Sequence, residues 1–142
     1  MDSTDLSSSL RAAISGLHKG LRKQISSIKT YSMTEFETVK FLARHESLSP
    51  SELATLTRVK TQSMSQILKK MELQGVIERT RSENDGRKVH ISLTPAGKEI
   101  VTKTRYERDE WLKNAIETSL TKEEKELLAK ALPLLQKLIR NN

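Results

Sequence analysis

Apolar residues recur every three or four positions along the first segment of the chain. The repeat begins at Leu6 and continues to Ile28, a spacing that is typical of an amphipathic helix with one apolar stripe. We predict a long helix over about residues 4–30, with Thr4 or Asp5 as the residue that caps its first turn.

Helix-capping patterns predict two further helices in the next part of the chain. Thr34 is followed three residues later by Glu37, which predicts a helix that ends near Glu46. Ser49 is followed by Pro50, and this pair predicts the sharp start of a short helix, since proline fits the first helical position.

A turn, a fourth helix and a β-hairpin are predicted next. The turn covers residues 58–60, and the helix runs from residue 61 or 62 to residue 74, where Gly75 is a favourable residue for a helix end. Residues 76–80 and 89–93 are predicted strands, the second with a clean alternation of apolar and polar residues. Short helix, turn, helix and hairpin in this order predict a winged helix-turn-helix.

Two more helices complete the chain. Thr94 with Pro95 predicts a helix that reaches about residue 119, and Thr121 with Glu124 predicts the start of the last helix. Pro133 lies inside this last helix and is expected to bend or loosen it. The predicted fold class is therefore mainly α, with a small β-hairpin wing and long N- and C-terminal helices.

Composition and charge restrict the function classes. The 142 residues fit one domain, and 35% hydrophobic, 30% charged and 4% aromatic residues suit a helical protein with solvated faces. The formal net charge of +7 favours a polyanionic partner, nucleic acid before an acidic membrane surface. There is no cysteine, which excludes disulfides, zinc fingers and thiol sensing. Neither a secretory signal nor a membrane-spanning run is visible, so we expect a cytoplasmic, nucleoid-associated protein without a membrane partner.

The fourth helix has two different faces. Met64, Leu68 and Met71 are spaced by three or four residues and are predicted to face the core. No acidic residue occurs between residues 58 and 71, so the opposite face is either an ordinary solvated face or a surface that contacts bases and phosphates. We predict the second, and the recognition-helix residues that would contact DNA are Thr61, Gln62, Ser63, Ser65, Gln66 and Lys69.

Positive charge is concentrated around this helix and the hairpin. Residues 58–90 hold eight basic and four acidic side chains, whereas residues 34–57 hold two basic and four acidic ones. Arg87 lies on a glycine-containing turn from which it can enter a minor groove, and Asp85 is expected to hold an arginine in position. The predicted DNA-binding wing consists of Arg79, Arg81, Asp85, Arg87 and Lys88, and Ser49 and Ser51 are predicted phosphate contacts at a helix start.

Three motifs follow one another around the hairpin. They are Leu73-Gln74-Gly75-Val76-Ile77-Glu78-Arg79, then Asn84-Asp85-Gly86-Arg87, then Leu93-Thr94-Pro95-Ala96-Gly97. In these motifs and their spacing, and over nearly the whole chain, the sequence resembles the MarR family of bacterial and archaeal transcriptional regulators.

The resemblance implies a homodimer that binds double-stranded DNA at a pseudo-palindromic site and is joined through the first and last helices. The apolar stripes of both terminal helices agree with this, although they could instead pack within one monomer. On this scheme residues 1–33 form an N-terminal dimerisation helix, residues 34–93 the DNA-binding lobe, and residues 94–142 the C-terminal dimerisation helices. The residues expected at the dimer interface are Leu6, Leu10, Leu17, Leu128, Leu132, Leu135 and Ile139.

The resemblance also implies an effector pocket, since many relatives release DNA when a small aromatic molecule binds between the dimer helices and the DNA-binding lobe. By position, His18, Arg22, Tyr31 and Phe36 would line such a pocket here, with ordinary packing as the alternative. No catalytic constellation, phosphate-binding loop or metal-ligand spacing is present. We therefore predict no enzyme activity, no cofactor and no metal.

The favoured interpretation is a dimeric, sequence-specific transcriptional repressor, and two alternatives stay open. A non-specific, chromatin-like DNA-binding protein would also explain the net charge. A helical adaptor for a protein partner would also explain the apolar stripes of the terminal helices. RNA is disfavoured, because aromatic residues that stack on single-stranded bases are scarce.

Overall fold

The computed structural model describes residues 1–25, 30–84 and 86–141, and it shows a mainly helical chain with one antiparallel hairpin. Ile77 lies opposite Leu93 in the hairpin. The predicted fold class is confirmed. The elements are α1 Ser3–Lys23, α2 Met33–Arg44, α3 Pro50–Thr57, α4 Thr61–Leu73, β1 Ile77–Arg81, β2 Val89–Leu93, α5 Pro95–Ser119 and α6 Lys122–Arg140.

Helix α1 starts earlier and ends earlier than predicted. Asp2 caps it, since Oδ1 of Asp2 accepts the backbone N–H of Asp5 at 2.8 Å, so the prediction of a cap at residue 4 or 5 was wrong. The helix ends at Lys23 because the next two backbone N–H groups bond only three residues back, at 3.1 and 3.2 Å. The predicted extension to residue 30 was therefore wrong as well, and Ile28 lies outside the described residues.

Helix α2 is capped by Ser32 and not by Thr34. The hydroxyl of Ser32 accepts the N–H of Glu35 at 3.2 Å, and Oε2 of Glu35 accepts the N–H of Ser32 at 2.8 Å. This reciprocal pair is a capping box. Because α2 starts at Met33, the boundary predicted between residues 33 and 34 falls inside the first turn of α2.

The core lies between α2, α3, α4 and the hairpin. Leu53, Met64, Leu68 and Ile91 are completely buried there. Leu48 pairs with Ile91 through two backbone hydrogen bonds of 3.0 and 2.8 Å, so an extended residue before α3 lies alongside the hairpin. This packing fixes the position of α4 relative to the hairpin.

The start of α5 is bonded to the segment that follows α4. The hydroxyl of Thr94 donates to the carbonyl of Gly75 at 2.5 Å and accepts the N–H of Gly97 at 3.1 Å, and the N–H of Thr94 donates to the carbonyl of Val76 at 3.1 Å. Gly75 has a φ of 76°, in the left-handed region that glycine adopts without strain. The first and the third of the three sequence motifs, which begin on either side of the hairpin, are therefore in direct contact.

The terminal helices bury little of their apolar stripes. No residue of α1 or α6 is buried, and Leu6, Leu17 and Leu132 are each at least half exposed. Helix α6 continues through Pro133 as one element, so Pro133 does not interrupt it. Among the described helices, none combines the length and the apolar character needed to span a bilayer.

Candidate nucleic-acid interface

The outward face of α4 is set by the burial of its other face. Met64, Leu68 and Met71 are each 0% exposed and hold the helix against the core. The side chains on the opposite side therefore project into solvent, and all six predicted contact residues are exposed. They are Thr61, Gln62, Ser63, Ser65, Gln66 and Lys69.

Arg58 forms the turn that directs the chain from α3 into α4. Its backbone is left-handed, with φ 58° and ψ 39°, and its N–H donates to the carbonyl of Thr55 at 3.2 Å. The N–H of Val59 reaches back to the carbonyl of Ala54 at 3.1 Å. A non-glycine residue in this conformation costs about 1 kcal/mol or more, so the packing of α3 and α4 holds a strained residue between them.

The start of α3 is already occupied by a carboxylate of the chain. The hydroxyl of Ser49 accepts the N–H of Glu52 at 3.1 Å, and Oε1 of Glu52 accepts the N–H of Ser49 at 3.0 Å. The backbone N–H and the hydroxyl of Ser49 lower the pKa of the Glu52 carboxyl below its ordinary value. Ser51 is exposed beside them, with its hydroxyl 3.2 Å from that of Ser49. The predicted phosphate contacts, Ser49 and Ser51, would therefore lie next to the negative charge of Glu52, which the sequence-based prediction did not take into account.

The wing presents basic side chains on its first strand and on the connection between the strands. Arg79 and Arg81 lie on β1, Arg87 and Lys88 lie on the connection just before β2, and all four are exposed. The N–H of Ser82 donates to the carbonyl of Lys88 at 2.9 Å and closes the hairpin. Asp85 lies outside the described residues, so its predicted role stays a prediction.

Arg79 lies against α4. Its Nε is 3.4 Å from Oε2 of Glu72, and both side chains are partly exposed. Together with Ser65, Gln66 and Lys69 they line a shallow groove between α4 and the wing. The acidic residue at the end of α4 is therefore neutralised by the wing, which keeps the face of α4 without net negative charge.

A second concave region lies between α1, α2 and α5. It is a cavity of about 130 Å³, and His18, Arg22 and Phe36 from the predicted effector pocket line it. Tyr31 does not line this cavity, so the structure brings together only three of the four predicted residues there. Instead Tyr31 packs edge-to-face on Phe36, with ring centroids 5.8 Å apart at an angle of 77°.

Two cations of this cavity were missed by sequence reasoning. Lys40 and Arg108 also line it, together with Leu21, Ile25, Met33 and Glu37. The pKa of Lys40 is lowered below its ordinary value. Desolvation of its ammonium group is the largest cause, and repulsion from the nearby Arg108 is the next. Lys40 lies four residues after Phe36 on α2, a spacing that would have placed both on one helix face, but Arg108 is distant in sequence and gave no such signal.

Metal binding finds no support in the described part of the chain. No group of three or more histidine, cysteine, aspartate or glutamate side chains there could hold an ion.

Known proteins share this arrangement of helices and wing. A model of the MarR family matches residues 31–88, from just before α2 to the turn of the hairpin. An uncharacterized HTH-type transcriptional regulator of Mycobacterium bovis is 30% identical over 134 residues, which are 94% of this chain and 92% of that protein. The chain belongs to the MarR family.

Two further similarities concern a repressor and a DNA complex. The homoprotocatechuate degradative operon repressor of Escherichia coli is 30% identical to this MarR-family chain over 103 residues, which are 71% of the chain and 69% of the repressor. The crystal structure of FabT from Streptococcus pneumoniae in complex with DNA has the same fold, with a TM-score of 0.66, 23% identity and 99% of each chain covered. Judged by the relatives that are 30% identical to it, the functional class of this chain is that of the MarR-family transcriptional regulators.

Proposed function

We propose that this MarR-family chain is a homodimeric transcriptional repressor that binds a pseudo-palindromic operator and is released by a small aromatic anion. The observation that carries the proposal is the exposed polar face of α4 next to a basic wing, with the acidic side chain at the end of α4, Glu72, paired with Arg79 of the wing. A helix of this kind can enter a major groove, where base edges differ between sequences, while the wing reaches a neighbouring groove. Such a protein would act on the nucleoid in the cytoplasm.

The dimer is supported by the terminal helices. No residue of α1 or α6 is buried within one chain, and their apolar side chains face solvent along both helices. A second copy would cover these stripes and present two recognition helices, as a palindrome requires. We propose that residues 1–33 and 94–142 supply this interface, that residues 34–93 form the DNA-binding lobe, and that the interface includes Leu6, Leu10, Leu17, Leu128, Leu132, Leu135 and Ile139.

The proposed repression is supported by a relative, and the proposed release from DNA by a ligand is supported by the cavity. The relative from Escherichia coli is named as the repressor of a degradative operon. The cavity of this chain combines the ring of Phe36 with the cations Arg22, Lys40 and Arg108. An aromatic ring and several cations that line one cavity favour a ligand that carries both a ring and a negative charge.

DNase footprinting on the DNA upstream of the protein's own gene tests the proposal. We expect one protected palindrome and an affinity well above that for random duplex DNA. A non-specific chromatin-like protein would protect no single site and would show only a steep salt dependence. A protein that sediments as a monomer, and dimerises or binds DNA only with a second protein, would support the adaptor instead.

The wing is tested by Arg87→Ala. This change should weaken operator binding by about 1–3 kcal/mol if the arginine contacts the DNA groove. Lys113→Ala on α5 removes the same charge elsewhere and serves as the control. An unchanged affinity of the Arg87 variant would refute the role of the wing.

The effector site is tested with benzoate as the probe. Trp111 is the single tryptophan of the chain and lies beside Gly20 of α1, three residues after the cavity residue Arg108. We expect benzoate to change the tryptophan fluorescence and to weaken operator binding, and neutral benzyl alcohol to do so less. Equal effects of both compounds would contradict an anion-binding cavity.

A further inference from the structure

A buried carboxylate connects α2 with the recognition helix. The side chain of Glu35 is 3% exposed, and its Oε1 lies 2.9 Å from Nζ of Lys70 on α4. Its other oxygen, Oε2, accepts the backbone N–H of Ser32 in the capping box of α2. Both oxygens of the carboxylate are therefore engaged, one at the start of α2 and one on α4.

Lys70 and Glu72 hold α4 from different sides. Each residue turns an α-helix by 100°, so side chains two positions apart point about 200° apart around the helix. Lys70 is paired with Glu35 of α2, and Glu72 is paired with Arg79 of the wing. The two ion pairs thus contact nearly opposite flanks of α4, with the exposed face that carries Gln66 and Lys69 on the surface between them.

The rotation of α4 about its own axis decides which hydrogen bonds it can make to bases. Side-chain tips lie about 6 Å from the helix axis, so a rotation of about 20° moves them by about 2 Å. Hydrogen bonds to base edges tolerate only a few tenths of an ångström around their preferred length. Contacts with phosphates depend mainly on charge and are far less sensitive to this rotation.

We propose that Glu35 and Lys70 form a positioning pair that sets the rotation of the recognition helix for base-specific binding. The pair acts through the side chains of α4 and makes no base contact itself. Glu35 is suited to this role because its burial fixes the carboxylate, and Lys70 is suited to it because its ammonium group reaches that carboxylate from the edge of the DNA-facing surface. The proposal rests on the operator binding proposed above.

The rival explanation of Lys70 is a direct phosphate contact. The two roles make opposite predictions for Glu35→Gln, which removes the charge but keeps a side chain that can complete a capping box. If Lys70 only contacts phosphate, this change leaves operator binding equal or stronger, because a negative charge is lost and the lysine is freed. If the pair positions α4, operator binding weakens in spite of the more favourable net charge.

Fluorescence anisotropy with the footprinted operator and with random duplex DNA measures both affinities. We expect Glu35→Gln and Lys70→Met each to weaken operator binding about tenfold, and the double variant to lose no more than either single variant, since the two residues act as one unit. Binding of Glu35→Gln to random DNA should stay equal or rise slightly. Lys70→Arg should restore most of the operator affinity, because it keeps the ion pair.

Glu99→Gln and Lys103→Met are matched controls. These two residues lie four positions apart on the exposed surface of α5, are not among the residues named for the dimer interface or the DNA contacts, and undergo the same charge changes. Operator binding by Glu35→Gln at the wild-type level would overturn the proposal, and so would equal losses of Lys70→Met on operator and random DNA. If the wild-type protein itself shows no preferred site, the proposed function fails first, which separates the two outcomes.

Discussion

Gly97 lies in the first turn of α5, where this helix meets the segment after α4. A side chain at this position has no room, because a Cβ atom would overlap the carbonyl oxygen of Val76. The same carbonyl accepts the N–H of Thr94, and Gly97 donates its own N–H to the hydroxyl of Thr94. The glycine of the third sequence motif is therefore required by a close backbone approach.

Gly97→Ala should lower the free energy of unfolding by about 2–4 kcal/mol, because the overlap is with backbone that cannot move aside without loss of these hydrogen bonds. Urea denaturation measures the change. Gly16→Ala is the matched control: nothing lies within 4 Å of its Cβ position, and alanine favours the helix, so this variant should be about 0.5–1 kcal/mol more stable. Equal effects of the two substitutions would contradict the close approach.

Arg58 is a residue whose conformation no sequence pattern indicated. The turn around residues 58–60 was predicted, but a left-handed arginine was not, since glycine or asparagine usually occupies such a position. The surrounding contacts determine this conformation, because α3 and α4 both pack on the core and the turn must span the distance between them.

For the helices as elements, the capping residues explain the correct predictions of helix starts and the error at α2. Ser49, Thr94 and Thr121 were predicted as helix starts, and each accepts the N–H of the residue three positions later. For α2 the sequence offers two registers, Ser32 with Glu35 and Thr34 with Glu37. The choice of the first depends on the burial of the Glu35 carboxylate against α4, which the local pattern does not show.

The capping box of α3 makes the stability of the protein depend on pH. The fold lowers the pKa of the Glu52 carboxyl through its bonds to Ser49, so the ionised form is favoured in the folded state. The stabilisation is therefore present above the pKa of glutamate in the unfolded chain and is lost as the pH falls through the lower pKa of the folded state.

Glu52→Gln should accordingly be less stable than the wild type at pH 7, with a difference that shrinks toward about pH 3. Thermal unfolding of both proteins at the two pH values measures this, with Glu99→Gln on α5 as the control for a charge change outside a cap. A difference that grows on acidification would have the wrong sign for this mechanism.

In the molecule as a whole, the terminal helices leave apolar side chains exposed when only one chain is present. Leu132 is 50% exposed on α6, and Leu128, on the same side one turn earlier, is 41% exposed. Stripes of this kind on two helices favour association, since each buried apolar side chain contributes about 1.5–3 kcal/mol. The wing and the recognition helix, by contrast, are positioned entirely within one chain.

Leu132→Glu should convert the proposed dimer to monomer and weaken operator binding about a hundredfold, because two linked half-sites bind more tightly than one. Analytical ultracentrifugation and the anisotropy assay measure the two effects. Lys137→Gln changes the net charge by the same amount on the other side of α6 and should leave both unchanged. A dimeric Leu132→Glu variant would place the interface elsewhere.

Helix α2 contacts both the cavity and helix α4. On one side its first turns place Met33 and Phe36 in the cavity wall, and from the same turns Glu35 reaches Lys70 of the recognition helix. Within one chain, the helix that contacts the cavity is therefore also bonded directly to the helix that would read DNA.

Local sequence patterns predicted the helix-turn-helix, the hairpin, the absence of acidic residues between residues 58 and 71, and the two apolar stripes of the terminal helices. These features depend on residues that are close in sequence, where the periods of helix and strand and the chemistry of caps and turns act directly. Only the packed structure shows the pairing of Glu35 with Lys70 and of Arg79 with Glu72, the presence of Arg108 in the cavity lining, and the absence of Tyr31 from that lining. Each of these depends on how the helices and the wing pack against one another, and no local pattern of hydrophobic and polar positions encodes the relative placement of side chains that packing brings together.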